Sequence, residues 1–344
     1  MYAAYSETNQ LHSPKDILRR GNIVKYMENP DRVKYFLSAL KDRKYKIISP
    51  RSFDIDAILA IHSAGYIDFL RDAHPRWRQA FADGKASDEV VAHTFAVRYP
   101  SVCPTSIQGQ VGYYLAGSSV PITKGTFAAA ISSAHCALEA AARLCEGETE
   151  AYALCRPPGH HAYRDLAGGF CYLNNAAIAA QALLPHHERV AIFDFDVHHG
   201  NGTQSIFYDR NDVHFVSVHA DPNDVFPFYS GHPNETGEGR GQGFNLNLPV
   251  PAGSGDEAYL EAVRRGILSV RESGATALVV SAGFDAFKGD PSVDMNVSTD
   301  GFRQIGRLLG QLRLPTAIIQ EGGYLVEELG LNLGAFLDGF SAER

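Results

Sequence analysis

The chain has 344 residues, 45% hydrophobic and 20% charged, with a formal net charge of −8. That composition is ordinary for a globular protein with a large buried core, and the negative balance argues against nucleic acid, whose phosphates need a basic patch. The five cysteines, Cys103, Cys136, Cys145, Cys155 and Cys171, form no C-x-x-C pair, so neither a disulfide framework nor a cysteine zinc site is expected.

In chain order, periodicity and end signals predict a helix at Asp31–Leu40, an irregular stretch at 82–124 rich in Gly, Pro and Ser, and a helix at Thr126–Leu144. A strand at Ala151–Cys155, a helix at Asn174–Leu184 and strands at Val190–Asp196 and Val213–His219 follow. After a second irregular stretch, Asp221–Ser254, come a helix at Asp256–Arg271, a strand at Ala277–Ala282, a helix at Asp300–Leu312, a strand at Thr316–Gln320 and a helix at Leu325–Leu337. Asp256 and Asp300 are expected as N-caps. Apolar strands alternating with helices predict an α/β fold around a parallel sheet. The first ten residues lack the basic and apolar regions of a signal peptide, and no run of roughly 18 apolar residues occurs, so a cytoplasmic protein without a membrane span is expected.

In such a sheet, ligands bind beyond the carboxyl ends of the strands. Here those ends read RPPGHH, DVHHGNG, HADP, GFDAF and EGGY. Asp196 and His198 are two residues apart at a strand end, so their side chains share a face. Asp285, after another apolar strand, could complete a two-aspartate, one-histidine set. Three protein ligands and an open position form the catalytic arrangement of zinc; oxygen-rich ligation also suits iron(II) or cobalt(II). The competing reading is a structural Asp, a capping His and a helix cap. His160 and His161 follow a rigid P-P-G turn and could move a proton between water and a leaving amine. His186 and His187 follow a helix end and read as solvated. Tyr324, after two glycines, could donate to a developing oxyanion, or simply pack on a helix start. No G-x-S-x-G, P-loop or dinucleotide fingerprint competes.

RPPGHHA, GGFCYLNN, DFDVHHGNGTQ, SAGFDAF and EGGY, in this order, resemble the arginase–deacetylase superfamily in its histone deacetylase branch, most closely the bacterial acetylpolyamine amidohydrolases. The resemblance spans about residues 1–340. It implies one deacetylase domain over 1–344, an open eight-stranded parallel sheet flanked by helices, and a loop insertion at about 82–124. It implies zinc (or iron(II) or cobalt(II)) on Asp196, His198 and Asp285, His161 as general base and acid with His160 as its electrostatic partner, and Tyr324 as the carbonyl-polarising phenol. It further implies tunnel walls at Gly169, Phe170 and Phe226, and a structural potassium ion on Asp194, Asp196, His198, Ser217 and Val218. Asp194 is expected to support His160. Asn201 stands behind His161, where many histone deacetylases carry Asp, and should alter the basicity of His161.

The activity implied is removal of acetyl groups from small acetylated amines, by a homodimer whose 82–124 loop narrows the mouth. By eye, Gln108 and Ser119 occupy positions where the polyamine enzymes carry acids that grip the substrate's far ammonium; Asp83, Asp88 or Glu89 could substitute. Deacylation of acetyl-lysine in peptides or proteins is the alternative activity. A metal-holding binding module is disfavoured because every catalytic position is filled, and a two-metal arginase-type hydrolase because its extra aspartates are absent.

Overall fold

The computed structural model describes residues 1–96 and 102–344; residues 97–101, inside the 82–124 stretch, lie outside the described residues. The chain opens with β1 (Tyr2–Ala4), a hairpin of β2 (Asp16–Arg19) and β3 (Asn22–Lys25), α1 (Asp31–Asp42) and β4 (Lys46–Ile48). Next come α2 (Asp56–Leu59), α3 (Ala64–Ala80), α4 (Ile107–Tyr114) and α5 (Thr126–Cys145). The central part holds β5 (Glu150–Ala153), α6 (Asn175–Leu183), β6 (Val190–Asp194), α7 (Asn201–Phe207), β7 (Val213–Ala220) and β8 (Asn245–Val250). Finally come α8 (Asp256–Ser273), β9 (Ala277–Ala282), α9 (Thr299–Gly310), β10 (Thr316–Gln320) and α10 (Leu329–Ser341).

Eight strands form one sheet in the order β4-β1-β5-β10-β9-β6-β7-β8, and every pairing is parallel. This is the expected fold. The pleat explains the apolar runs. Val190 and Ile192 face a core built with α3, α5 and α6, while Ala191 and Phe193 face a second core built with α1, α8, α9 and α10. The crossover from β5 to β6 passes over two positions that β10 and β9 later fill. The carboxyl ends of β5, β10, β9 and β6 therefore lie side by side, and their four loops meet.

Several expectations need correction. β8 lies inside the predicted irregular stretch Asp221–Ser254, and α4 inside 82–124. β1, β4, the β2–β3 hairpin, α3 and α7 are additional elements. The N-cap of α8 is Gly255 rather than Asp256, whose carboxylate instead accepts from Ser298 N and Oγ. The N-cap of α9 is Ser298 rather than Asp300, since its hydroxyl accepts from Gly301 N. The last helix begins at Leu329, after a 3-10 turn at Val326–Glu328.

Candidate active site

β6 ends at Asp194, and the next four residues wind tightly around their own carboxylates. Asp194 Oδ1 accepts from Asp196 N at 3.0 Å and Asp196 Oδ1 from His198 N at 2.9 Å. Asp285, in the loop after β9, accepts from Val197 N at 3.0 Å, and Asp196 Oδ2 accepts from Gly322 N, after β10, at 2.9 Å. These bonds bring Asp196, His198 and Asp285 together. His198 Nδ1 lies 3.1 Å from Asp196 Oδ1 and 3.2 Å from Asp285 Oδ2.

The donor atoms of this trio all lie within 4.8 Å of one another. Asp285 Oδ2 is buried with no well-aligned hydrogen-bond donor, and the His198 ring 3.2 Å away is its one charged neighbour of opposite sign in the trio. Burial and the facing Asp196 push the Asp285 carboxyl up to about 6. Burial disfavours charge on His198, but the two aspartates outweigh it and raise the imidazole to about 10. Gly322 leaves room at the centre: a Cβ there would stand 2.3 Å from Asp285 Oδ2 and 2.5 Å from Asp196 Oδ2. The trio thus fits a divalent cation. Among the described residues one other group, His160, Cys171 and Glu321, has metal-ligand spacing. There Glu321 Oε2 already accepts from Gly159 N at 2.7 Å and His160 N at 3.2 Å.

The adjacent imidazoles differ sharply. His160 Nδ1 meets Asp194 Oδ2 at 2.9 Å. Burial opposes its charge, yet Asp196 and Asp194 raise it to about 10. His161 Nδ1 meets Asn201 Oδ1 at 2.7 Å, while Asn201 Nδ2 donates to the Tyr163 hydroxyl at 3.0 Å. That chain assigns the proton to His161 Nδ1 and leaves Nε2 with a free lone pair. Burial, then His160 and His198, hold His161 well below the ordinary histidine value. Neighbouring titratable groups pushed in opposite directions are the pattern of an acid–base pair.

A cavity of about 820 Å³ leads to His198, with Gly169, Phe170 and Phe226 in its wall. The Phe226 ring meets His161 edge-on at 4.9 Å between centroids. Gly169 has φ +49°, and a Cβ there would strike His161 Cδ2 at 2.2 Å; only glycine lets this wall close on the histidine. Tyr324 packs edge-on against Phe170 at 5.5 Å, and the Arg32 guanidinium lies 5.2 Å from its ring centre. Burial, then Asp285, raise the phenol, so it stays protonated.

The remaining predicted residues are spread more widely. Asp194 and Ser217 are in register across β6 and β7, and Ser217 Oγ meets His219 Nδ1 at 2.8 Å. Val218 O and Phe195 O both accept from the buried Tyr259 hydroxyl. Ser119 lines the mouth, but Gln108 is exposed on α4 and does not. Asp83 pairs with Lys85, Asp88 with Arg78, and Glu89 accepts from Lys15 N. The acids that do line the cavity are Asp224, Asp290 and Asp294, together with Arg19 and Arg20.

Some structural supports were not singled out from the sequence. Glu321 anchors the P-G-H turn, and only its place in EGGY pointed to it. Arg32 donates to Glu321 O and to Gly323 O at 2.7 Å, and Glu28 pairs with both Arg32 and Arg156. Glu28 and Arg32 are four residues apart, but Arg156 and the Glu321–Gly323 loop that they hold are distant in sequence and meet them only in the fold.

Residues 26–340 match the histone deacetylase domain model. The chain is 44% identical over 344 residues to an acetylpolyamine amidohydrolase of Burkholderia pseudomallei (strain 1710b), covering 100% of both proteins. It is 40% identical over 342 residues to an acetylpolyamine amidohydrolase of Mycoplana ramosa, covering 98% of this chain and 99% of the relative. The crystal structure of an acetylpolyamine aminohydrolase from Burkholderia pseudomallei superposes with a TM-score of 0.97 at 44% identity, over 100% of this chain and 99% of the other. The HD domain of HDA15 superposes at 0.80 with 25% identity, over 99% of this chain and 88% of the other. No helix among the described residues is long and apolar enough to cross a membrane. By sequence and by fold, the chain belongs to the histone deacetylase domain family.

Proposed function

We propose that this protein is a zinc-dependent amidohydrolase that removes acetyl groups from small acetylated amines such as acetylpolyamines. The observation that carries this reading is an aromatic-walled cavity lined by His198 of a cation-seeking Asp–His–Asp trio, whose wall residues Phe226 and Phe170 pack against a neutral histidine, His161, and a protonated phenol, Tyr324. The full-length likeness to acetylpolyamine amidohydrolases favours the small-amine class.

Asp196, His198 and Asp285 would hold the metal, with iron(II) or cobalt(II) as alternatives to zinc. When bound, such an ion supplies Lewis-acid polarisation and makes water a nucleophile near neutral pH. His161 takes a proton from the attacking water through its free Nε2 and returns it to the departing amine nitrogen. His160, its charge held by Asp194, steadies the negative charge that builds up beside it. Tyr324 donates its phenol proton in a hydrogen bond to the acyl oxygen. The carbonyl carbon gains the water oxygen, the C–N bond breaks, and acetate and free amine leave. Gly169, Phe170 and Phe226 exclude water around the aliphatic part of the substrate.

The whole chain is read as one deacetylase domain with an insertion at 82–124. A structural potassium ion on Asp194, Asp196, His198, Ser217 and Val218, a homodimer joined near that insertion, and a cytoplasmic location belong to the same reading. A second substrate reading, acetyl-lysine in peptides, is favoured by the exposed aromatics Phe228 and Tyr229 near the mouth, the latter 89% exposed. A panel of acetylated diamines, acetyl-lysine peptides and longer acyl chains tests both. Preferred turnover of acetylated diamines supports the proposal, and exclusive turnover of peptides replaces it with the alternative.

A further inference from the structure

In the loop that carries Tyr324 two glycines, Gly322 and Gly323, precede the tyrosine, so its backbone has unusual freedom. Before the tyrosine it is tied firmly: Glu321 grips the P-G-H turn, Arg32 holds the carbonyls of Glu321 and Gly323, and Gly322 N donates to Asp196. At the tyrosine itself, one side chain alone among the described residues bonds the backbone. Asp290 Oδ2 accepts from Tyr324 N at 2.7 Å and from Leu325 N at 3.0 Å.

Asp290 is built for this. It is 6% exposed. Its other oxygen, Oδ1, accepts from Ser292 N at 2.9 Å and Ser292 Oγ at 2.6 Å, which sets the plane of the carboxylate. The turn around it is held in place in two ways: Asp290 N donates to Phe287 O at 3.0 Å, and Arg19 of the β2–β3 hairpin donates to Pro291 O and Ser292 O, both at 3.0 Å. Every contact of the carboxylate is a donor, so only a full acceptor fits.

We propose that Asp290 is a positioning residue that fixes Tyr324 where its phenol meets the acyl oxygen. The inference rests on the proposed role of Tyr324. A phenol bonds the developing oxyanion more strongly than the ground-state carbonyl, so misplacing it lowers kcat more than it raises KM. Asp290→Asn keeps the shape but turns an NH2 group toward donors, which pushes the loop off its mark.

The test is a double-mutant cycle on whichever acylated amine the wild type hydrolyses best. Asp290→Asn is expected to lower kcat about tenfold or more, short of the roughly 100–1,000-fold cost of losing a whole donor. KM should stay within about threefold and metal content should be unchanged. In a Tyr324→Phe background the same change should cost less than about twofold. Hydrogen exchange at the Tyr324 and Leu325 amides should speed up in Asp290→Asn and not in Tyr324→Phe. Ser292→Ala, a milder release of the same carboxylate, should give a smaller loss with the same dependence on Tyr324, and it serves if Asp290→Asn does not fold. Equal losses in both backgrounds, or unchanged exchange, overturn the proposal. If the wild type hydrolyses no acylated amine, the functional reading fails, while the exchange comparison still decides whether Asp290 holds the loop.

Discussion

The floor and the mouth of the cavity are built on different terms. Beneath the cavity, His160, His161, Asp196 and Asp285 are buried, and each is fixed by a hydrogen bond to a residue of another segment at the sheet's carboxyl edge: Asp194, Asn201, Gly322 and Val197. At the mouth, Leu18 and Phe228 are exposed, and the exposed Arg20, Asp224 and Asp294 share the lining. Over-determined geometry suits bond-breaking, which tolerates little displacement. A loosely held rim of mixed charge suits selection among related substrates, because loops can vary without disturbing the sheet. Floor substitutions should therefore act on metal content, kcat and pH, and rim substitutions on KM and salt dependence.

The largest effect tests whether the floor depends on its cation. Asp285→Ala is expected to lose both metal and activity, because two remaining ligands rarely hold such an ion. Full metal occupancy in that variant, measured by elemental analysis, would remove Asp285 from the ligand set. His161→Ala should keep the metal and lose about 100- to 10,000-fold in kcat; near wild-type turnover would end its assignment as base.

A pH profile sharpens the comparison within the floor. His161 lies well below the ordinary histidine value, and it must be unprotonated to act. The acid limb of kcat/KM should therefore fall below about pH 6.5. Asn201→Asp puts a carboxylate beside His161 Nδ1, favours the imidazolium and should move that limb up by about one unit or more. A downward shift, or none, would show that another group sets the limb.

The smallest effects belong to the rim. Asp224→Asn and Asp294→Asn should each cost about 1 kcal/mol or less for a charged acetylated diamine, expressed in KM and eroded by salt. A neutral N-acetyl alkylamine of equal length should be unaffected. Gln108→Glu lies outside the cavity, so it should alter diamine selectivity only through a second copy of the chain. An effect in a strictly monomeric sample would contradict that.

The same contrast governs what the amino-acid order reveals. β6, β7, β9 and β10 are near-continuous apolar runs because both their faces are covered, and such runs are legible. The candidate chemistry sits at strand ends, so Asp196, His198, Asp285 and, after β5, His160 and His161 are marked by residue type and position, and their roles by the family resemblance. β8 was hidden because NLNLPV alternates polar residues that are buried: Asn245 and Asn247 reach Gln204. β1 and β4 are three residues each, too short for a period to appear. α4, IQGQVGYY, carries two glycines and little helical signal. Asp290 and Arg32 were illegible for a different reason: their partners lie 34 and 291 residues away in the chain. Rim selectivity is the least legible part, since exposed loops show no pattern from which side-chain direction can be read.

The most direct test of the account is acetate release from an acetylated diamine by the protein as purified, after chelation, and after reloading with zinc. The expected result is loss of turnover on chelation, with the protein still folded by circular dichroism, and recovery on adding about one equivalent of metal. Undiminished turnover by the fully chelated protein would contradict the central claim.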